Sequence, residues 1–384
     1  MEQYYFSAPG RTEISGNHTD HQHGCVLAAA VNLASVAEVK RNGSRSIRIS
    51  SEGFDSVEID LDDLSIQEEE KNTTASLVRG VAAGFAARDI TLEGFDARIR
   101  SSVLPGSGLS SSASFEVLIG TICNQLFCGG ALSAVEIAQI GQYAENVYFG
   151  KPSGLMDQMA SSVGGLVFID FEDPSKPVVE RLDYDFSAAG YALCIIDSGA
   201  NHADLTDEYA SIPEEMSQVC AFFGKKVLRE IPEKDFLAAL PALRLQVLDR
   251  AVLRALHFYN ENKRVLAQVQ ALKKNDLPTF MNLVKESGRS SWMYLQNISP
   301  TGAVEYQEMA VALALCDILL QGEGAFRVHG GGFAGTVQAF VPLDRVKEFR
   351  SGIEAVLGKG SCHILSIRSE GGQQEIPSTK EGIA

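Results

Sequence analysis

The stretch PGSGLSSSAS, Pro105 to Ser114, constrains this chain more than any other. Two glycines allow close backbone approach, a run of hydroxyls follows, and an apolar helical pattern, SASFEVLIGTICNQLF, starts at once. A loop of this kind at a helix N-terminus presents unpaired N–H groups and the positive end of the helix dipole, which together make an anion site. A Ser-rich linker is the bland alternative, but linkers are not followed directly by a buried-type helix. No G-K-[ST] follows, so the loop is not a Walker A motif, and the G-x-G-x-x-G spacing of a dinucleotide fold is absent.

Around that loop the pattern is mixed α+β. Residues 46–61 alternate on both sides of SEGFD and read as a hairpin, and 74–89 has helical spacing of Leu77, Val78, Val81 and Phe85. FDARIRSSVLP reads as a strand, and 110–127 as a helix. Residues 133–150 open on a capping box, Ser133 with Glu136, and end at Gly150. GGLVFIDF (164–171) and YALCIID (191–197) read as buried strands, and 203–320 is mostly helical. A glycine cluster (329–335), a strand TVQAFV, a helix 344–358 and a strand 362–368 follow, with a polar, mobile tail over 369–384. At 384 residues two domains are expected, with a boundary near 180–190.

Three further segments carry polar groups in unusual settings. In GLMDQMASSVGG, Asp157 sits among apolar residues; it is either a helix N-terminal acid near the dipole or a buried functional carboxylate. RVHGGGFAG (327–335) implies backbone that turns tightly or passes something closely. GNHTDHQHG (16–24) resembles a ligand cluster for zinc, with His18, Asp20, His21 and His23. The flanking glycines argue against a helix that would align His18 with His21, and His202, His257, His329 and His363 are solitary.

Taken in order, these segments resemble the GHMP superfamily of small-molecule kinases, most closely its galactokinase branch. PGSGLSSSAS resembles the superfamily's ATP-phosphate loop and HGGGFAG its third motif. PGRTEISGNHTDHQHG resembles the galactokinase signature G-R-x-N-L-I-G-E-H-x-D-Y-x-x-G. AENVYFGKPSGLMDQMAS and LTDEYASIPEEM resemble two further galactokinase segments. The resemblance implies that Asp157 takes the proton of an anomeric hydroxyl and that Arg11 stands beside it and the transferring phosphoryl group. It implies sugar contacts from Asn17, His18, Asp20, Gly154 and Tyr209. Gly106, Ser107, Gly108, Leu109, Ser110, Ser111 and Ser112 would surround the ATP phosphates, and Ser112 and Glu145 would hold Mg²⁺. The chain departs from the signature at Glu13 (usually Asn), Asn17 (usually Glu) and His21 (usually Tyr). Loss of the charge at Asn17 bears on contacts near the C6 end of the sugar.

The expected fold is therefore α+β, the two-lobed GHMP kinase fold. A mixed-sheet N-terminal lobe (1–185) would carry the phosphate loop, and an α+β, ferredoxin-like C-terminal lobe (186–384) would close the active site between them. The implied activity is ATP-dependent 1-phosphorylation of galactose. The alternatives are another sugar such as an N-acetylhexosamine, or a non-catalytic sugar sensor; such sensors lack the Ser-Ala pair that Ser112 and Ala113 supply here. Expected partners are a small sugar and ATP, in a monomer or weak homo-oligomer. The net charge of −16 argues against nucleic acid. Seven scattered cysteines without a C-x-x-C pair suit a reducing cytoplasm. No apolar run approaches the roughly 18 residues that span a membrane.

Overall fold

The computed structural model describes residues 2–53, 55–103, 108–151, 153–200, 205–333 and 335–376. The first half of the chain runs β1 (Tyr4–Ser15), β2 (Cys25–Arg41), β3 (Ser46–Ser51), β4 (Val57–Asp60), α1 (Thr74–Ala86), β5 (Phe95–Ser101), α2 (Ser111–Cys128) and α3 (Ala134–Tyr143). After α3 come a π-helical turn (Ala144–Phe149), α4 (Met156–Val163), β6 (Leu166–Asp170) and β7 (Val178–Leu182). The second half runs β8 (Tyr191–Asp197), α5 (Thr206–Phe222), α6 (Glu233–Leu243), α7 (Asp249–Lys273), α8 (Leu277–Ser290) and α9 (Glu308–Leu320). It ends with β9 (Ala325–His329), β10 (Thr336–Pro342), α10 (Val346–Leu357), β11 (Cys362–Leu365) and β12 (Gln373–Glu375).

Two sheets result. The first has the order β12-β1-β2-β5-β3-β4, with β6 and β7 continuing from β2. It is mixed, because β3 and β5 pair in parallel while its other pairings are antiparallel. The second sheet, β11-β8-β10-β9, is antiparallel. The chain leaves the first sheet after β7, builds the second, and returns with β12 alongside β1. Residues 373–375 of the polar tail, expected to be mobile, are thus a strand: Ser7 Oγ and the Arg368 guanidinium both meet the Glu375 carboxylate there.

The start of β2, CVLAAAV, carries no polar alternation because both faces are covered. Val26 and Ala28 pack with Met159 and Ala160 of α4, while Leu27, Ala29 and Val31 pack with Val265, Val269 and Leu272 of α7. A strand buried on two faces reads as a continuous apolar run. The small alanines let both helices lie close, and α4 is the helix that carries Asp157.

β1 positions the site through an irregularity. Its pairing with β2 shifts register between Pro9 and Arg11, and such a break re-aims the next side chain. A Cβ at Gly10 would lie 2.9 Å from the Leu109 carbonyl oxygen, so only glycine lets the loop before α2 come this close. The Arg11 N–H then donates to that carbonyl at 3.0 Å. The capping box expected at Ser133 and Glu136 is present at the start of α3. No helix among the described residues is long and apolar enough to cross a membrane.

Candidate active site

Arg11 is the hub. Its Nε and Nη2 donate to the two carboxylate oxygens of Asp157, each at 2.6 Å, and its Nη1 donates to the Gly108 carbonyl. A bidentate fork of this kind fixes both orientation and charge. Burial on its own would push the Asp157 carboxyl up. The Arg11 charge and hydrogen bonds, helped by Ser110, outweigh that and hold it below the usual carboxylate range. The Asp157 side chain remains 28% exposed, so an edge of the ionised group is open to solvent.

Beside this pair lies the start of α2. Gly108 and Ser110 both have positive φ, 71° and 56°, and no side chain caps the helix at Ser110. The first-turn N–H groups of α2 therefore take no side-chain cap from Ser110, and uncapped N–H groups at a helix start are of the kind that receive anions. Gly106 and Ser107 lie outside the described residues. Leu109 is buried and contributes its carbonyl to Arg11 rather than its side chain to the cleft. Ser112 Oγ donates to Glu145 Oε1 at 3.2 Å. Glu145 also takes Lys151 Nζ at 3.1 Å, Ser153 Oγ at 2.7 Å and Gln158 Nε2 at 2.9 Å. It rides on the π-helical turn after α3, which ends at Gly150 with φ 88°.

The Gly16 to Gly24 stretch forms a tight turn ending in a short 3-10 segment at Asp20–Gln22. Thr19 Oγ1 braces it against the carbonyls of Gly16 and Cys25, at 2.8 and 2.7 Å. The glycine cluster after β9 receives it. The carbonyls of Gly330, Gly331 and Gly332 accept in turn from Asn17 Nδ2 (2.5 Å), His18 Nε2 (3.1 Å) and Tyr209 OH (3.0 Å). Since a carbonyl only accepts, the proton of neutral His18 is on Nε2. Its bare Nδ1 then takes the Nε2–H of His21 at 3.0 Å. Burial, followed by His21, pushes His18 well below the usual imidazole range, so it is neutral. Asp20 Oδ2 occupies the space of the missing Gly154 side chain: a Cβ there would lie 1.8 Å away.

Asp20 thereby meets the chain three residues before Asp157, while His18 and Tyr209 both reach the glycine cluster after β9. Asn17, though, is fully buried, its amide held by Gly330, by Glu13 at 3.2 Å and by Asn297 at 2.9 Å. It braces the turn from behind. His21 and His23, singled out only as members of the histidine cluster, differ in fate: His21 orients His18, and His23 ends the short 3-10 segment with φ 59°.

Residues 1–41 match the galactokinase galactose-binding signature, and residues 76–165 match the GHMP kinases N terminal domain. A galactokinase of Glaesserella parasuis serovar 5 is 34% identical over 352 residues, spanning 89% of this chain and 86% of that protein. The chain belongs to the galactokinase family. The galactokinase of Haemophilus influenzae is 31% identical over 360 residues. In fold, the chain superposes on a Lactococcus lactis galactokinase solved with galactose at a TM-score of 0.81, with 24% identity over 97% of this chain and 95% of that one. A Methanococcus jannaschii mevalonate kinase gives 0.66 at 16% identity. The fold is that of the GHMP kinases, and membership makes the protein a sugar kinase, a phosphotransferase.

For a galactokinase-family member, the structure adds residues that sequence reasoning passed over. His329, read as solitary, is buried between the two sheets; its Nε2 accepts from the Glu13 N–H at 3.1 Å and its Nδ1 meets Thr336 Oγ1 at 2.8 Å. Burial holds it neutral. Arg327 meets the Glu13 carboxylate. Gln158 and Glu116 stand behind Glu145. Gln158 directly follows Asp157 in the quoted segment, and that adjacency was the available signal.

Proposed function

We propose that the protein transfers the γ-phosphoryl group of ATP to the anomeric hydroxyl of galactose. The observation that carries this reading is the Arg11–Asp157 fork, set where the phosphate-loop helix begins and open on one carboxylate edge. Phosphoryl transfer asks mainly for positioning and for a positive field at the transferring group. The first-turn N–H groups of α2, from Ser110 to Ser112, and the Arg11 guanidinium supply that field. His18, Asp20 and Tyr209 line the sugar side, and Gly154 keeps room for Asp20. Asn17 acts as their support.

Asp157 accepts the sugar proton late. Its carboxylate is held ionised by Arg11 and is a weak base. It therefore orients the hydroxyl first and takes the proton only as the oxygen–phosphorus bond forms and acidifies that hydroxyl. Ser112 Oγ and Glu145 Oε1, 3.2 Å apart, are hard oxygen donors suited to Mg²⁺, which needs few protein ligands when phosphates and waters complete its shell. When bound, the cation supplies charge cancellation at the phosphates.

A coupled assay for ADP release across a sugar panel tests the reading. Galactose is expected to give turnover, and Asp157→Asn to lower kcat by about 10²- to 10⁴-fold with galactose binding retained. ADP release that requires an N-acetylhexosamine and not galactose would replace the substrate; equal, negligible turnover in both proteins would make this a sugar sensor.

A further inference from the structure

One buried acid beside the site has no part in the chemistry above. Glu116, on α2, is 1% exposed, and no Lys or Arg among the described residues pairs with it. Its hydrogen-bond partner is the Gln158 amide, whose Nε2 donates to Glu116 Oε2 at 2.9 Å. The same nitrogen donates to Glu145 Oε2, also at 2.9 Å. A primary amide has two N–H donors, so both are spent on carboxylates and Gln158 bridges two acids. Gln158 is itself fully buried. A Cβ at Gly141 of α3 would stand 3.1 Å from Gln158 Cγ and 3.3 Å from Glu116 Cβ, so the bridge is walled in by close packing.

Two carboxylates sharing one amide in a dry site cannot both carry charge at low cost. Glu145 has Lys151, Ser153 and Ser112 as donors; among the described residues the donor to Glu116 is Gln158. Burial, then the Glu145 charge, pushes the Glu116 carboxyl well above the usual range, so it keeps its proton. Glu116 Oε1 and Gln158 Oε1 are each buried without a hydrogen-bond partner among the described residues. Protonation turns one of them into a donor.

We infer that Gln158, seated on Glu116, is a positioning residue for phosphoryl transfer that fixes the Glu145 carboxylate for the divalent cation. Gln158 follows Asp157 on the first turn of α4, where neighbouring side chains diverge by roughly 100°. One rigid turn thereby aims Asp157 at the sugar hydroxyl and, through Gln158, Glu145 at the cation. The distance between base and cation is set by a single piece of backbone. The inference rests on the assignment of Ser112 and Glu145 as the cation-holding pair.

The test uses the full-length protein with a saturating non-hydrolysable ATP analogue, and reads free Mn²⁺ by electron paramagnetic resonance. Gln158→Met keeps the length and deletes the amide. It is expected to weaken Mn²⁺ binding by about tenfold or more, in the range for lost outer-shell partners, and to lower kcat with the galactose KM nearly unchanged. Gln158→Asn shortens the amide and is expected to weaken Mn²⁺ binding in the same direction, should the Met variant not fold. Glu116→Gln, a neutral isostere, is expected to bind Mn²⁺ as the unmodified protein does. Glu145→Gln is the control and should lose Mn²⁺ binding. If Glu145→Gln loses it while both Gln158 variants keep it, the positioning role is overturned. If Glu145→Gln binds Mn²⁺ normally, the cation assignment underneath it fails instead. Loss in Glu116→Gln equal to that in Gln158→Met overturns the neutral state of Glu116.

Discussion

At the scale of single residues, the site depends on what is missing as much as on what is present. Gly154 is bare because Asp20 Oδ2 fills the space where its Cβ would go. Gly154→Ala must therefore drive Asp20 out of the cleft while leaving the loop before α2 untouched. We expect galactose affinity to fall at least about tenfold, a loss near 1.4 kcal/mol, with nucleotide affinity unchanged; calorimetry with each ligand separates the two. Arg11 has a complementary signature in pH. It holds Asp157 below the usual carboxylate range against a burial cost that acts in the other direction. In Arg11→Gln the largest opposition to that cost is gone and only Ser110 and Lys151 still act against it, so the Asp157 carboxyl rises and is protonated at higher pH. The acid limb of the kcat/KM profile should move upward in pH, beyond any overall loss of rate. An unmoved limb would mean that Arg11 does not set the charge state of Asp157. Residues such as these were legible in the sequence because side-chain chemistry marks them. The three glycine carbonyls that receive Asn17, His18 and Tyr209 were not, since every residue has a carbonyl and only the fold says which ones converge.

At the scale of elements, the phosphate-loop helix and the α3 capping box follow from local rules: glycines and hydroxyls before an apolar run, and a Ser–Glu pair three residues apart. The π-helical turn after α3 follows from none. Residues 133–150 read as one continuous helix, but the regular helix ends at Tyr143, and Ala144–Phe149 widens to bring the buried Glu145 under Ser112, Lys151 and Ser153. Its cause is tertiary, and α1 is part of it. A Cβ on Gly80 would lie 2.7 Å from Ala144 Cα and 3.0 Å from Tyr148 Cβ, so α1 presses directly on the wide turn. Gly80→Ala would push these elements apart. Overpacking of this sort costs about 1–3 kcal/mol, measurable by urea unfolding. The added expectation is a higher KM for the Mg²⁺–nucleotide with the galactose KM unchanged, because Glu145 moves and the turn at Gly16 to Gly24 does not. Equal changes in both would place the effect in general destabilisation.

At the scale of the whole molecule, the two sheets meet along a buried polar seam. Thr12 and Glu13 of β1 face His329 and Arg327 of β9 and Gln338 of β10, whose Nε2 donates to the Glu13 carbonyl at 2.7 Å. The seam was not legible in advance: its members are scattered over more than three hundred residues, and although Thr12 and Glu13 lie in the signature stretch and Arg327 and His329 in the glycine-cluster segment, nothing local says that they meet. At its centre, Arg327 and Glu13 form an ion pair that is almost wholly out of solvent, and Arg327 Nε and Nη1 have no partner. Such a pair contributes little net stability, yet removing one partner leaves a buried charge. Arg327→Met should therefore destabilise the protein by about 3–5 kcal/mol near neutral pH. Glu13→Gln combined with Arg327→Met should recover most of that. The pH dependence gives the sharper check. Burial already pushes the Glu13 carboxyl up even with Arg327 beside it, and without Arg327 only the Arg11 charge still opposes that push. A group whose folded-state pKa lies above its unfolded value stabilises the fold below the unfolded pKa and loses that stability as pH rises through the folded one. The deficit of Arg327→Met relative to the unmodified protein should hence be small in mild acid and grow towards neutral pH, while the double variant shows no such slope. A deficit that stays flat across this range would mean that Glu13 is neutral in the intact seam and that its contact with Arg327 is a hydrogen bond without an ion pair.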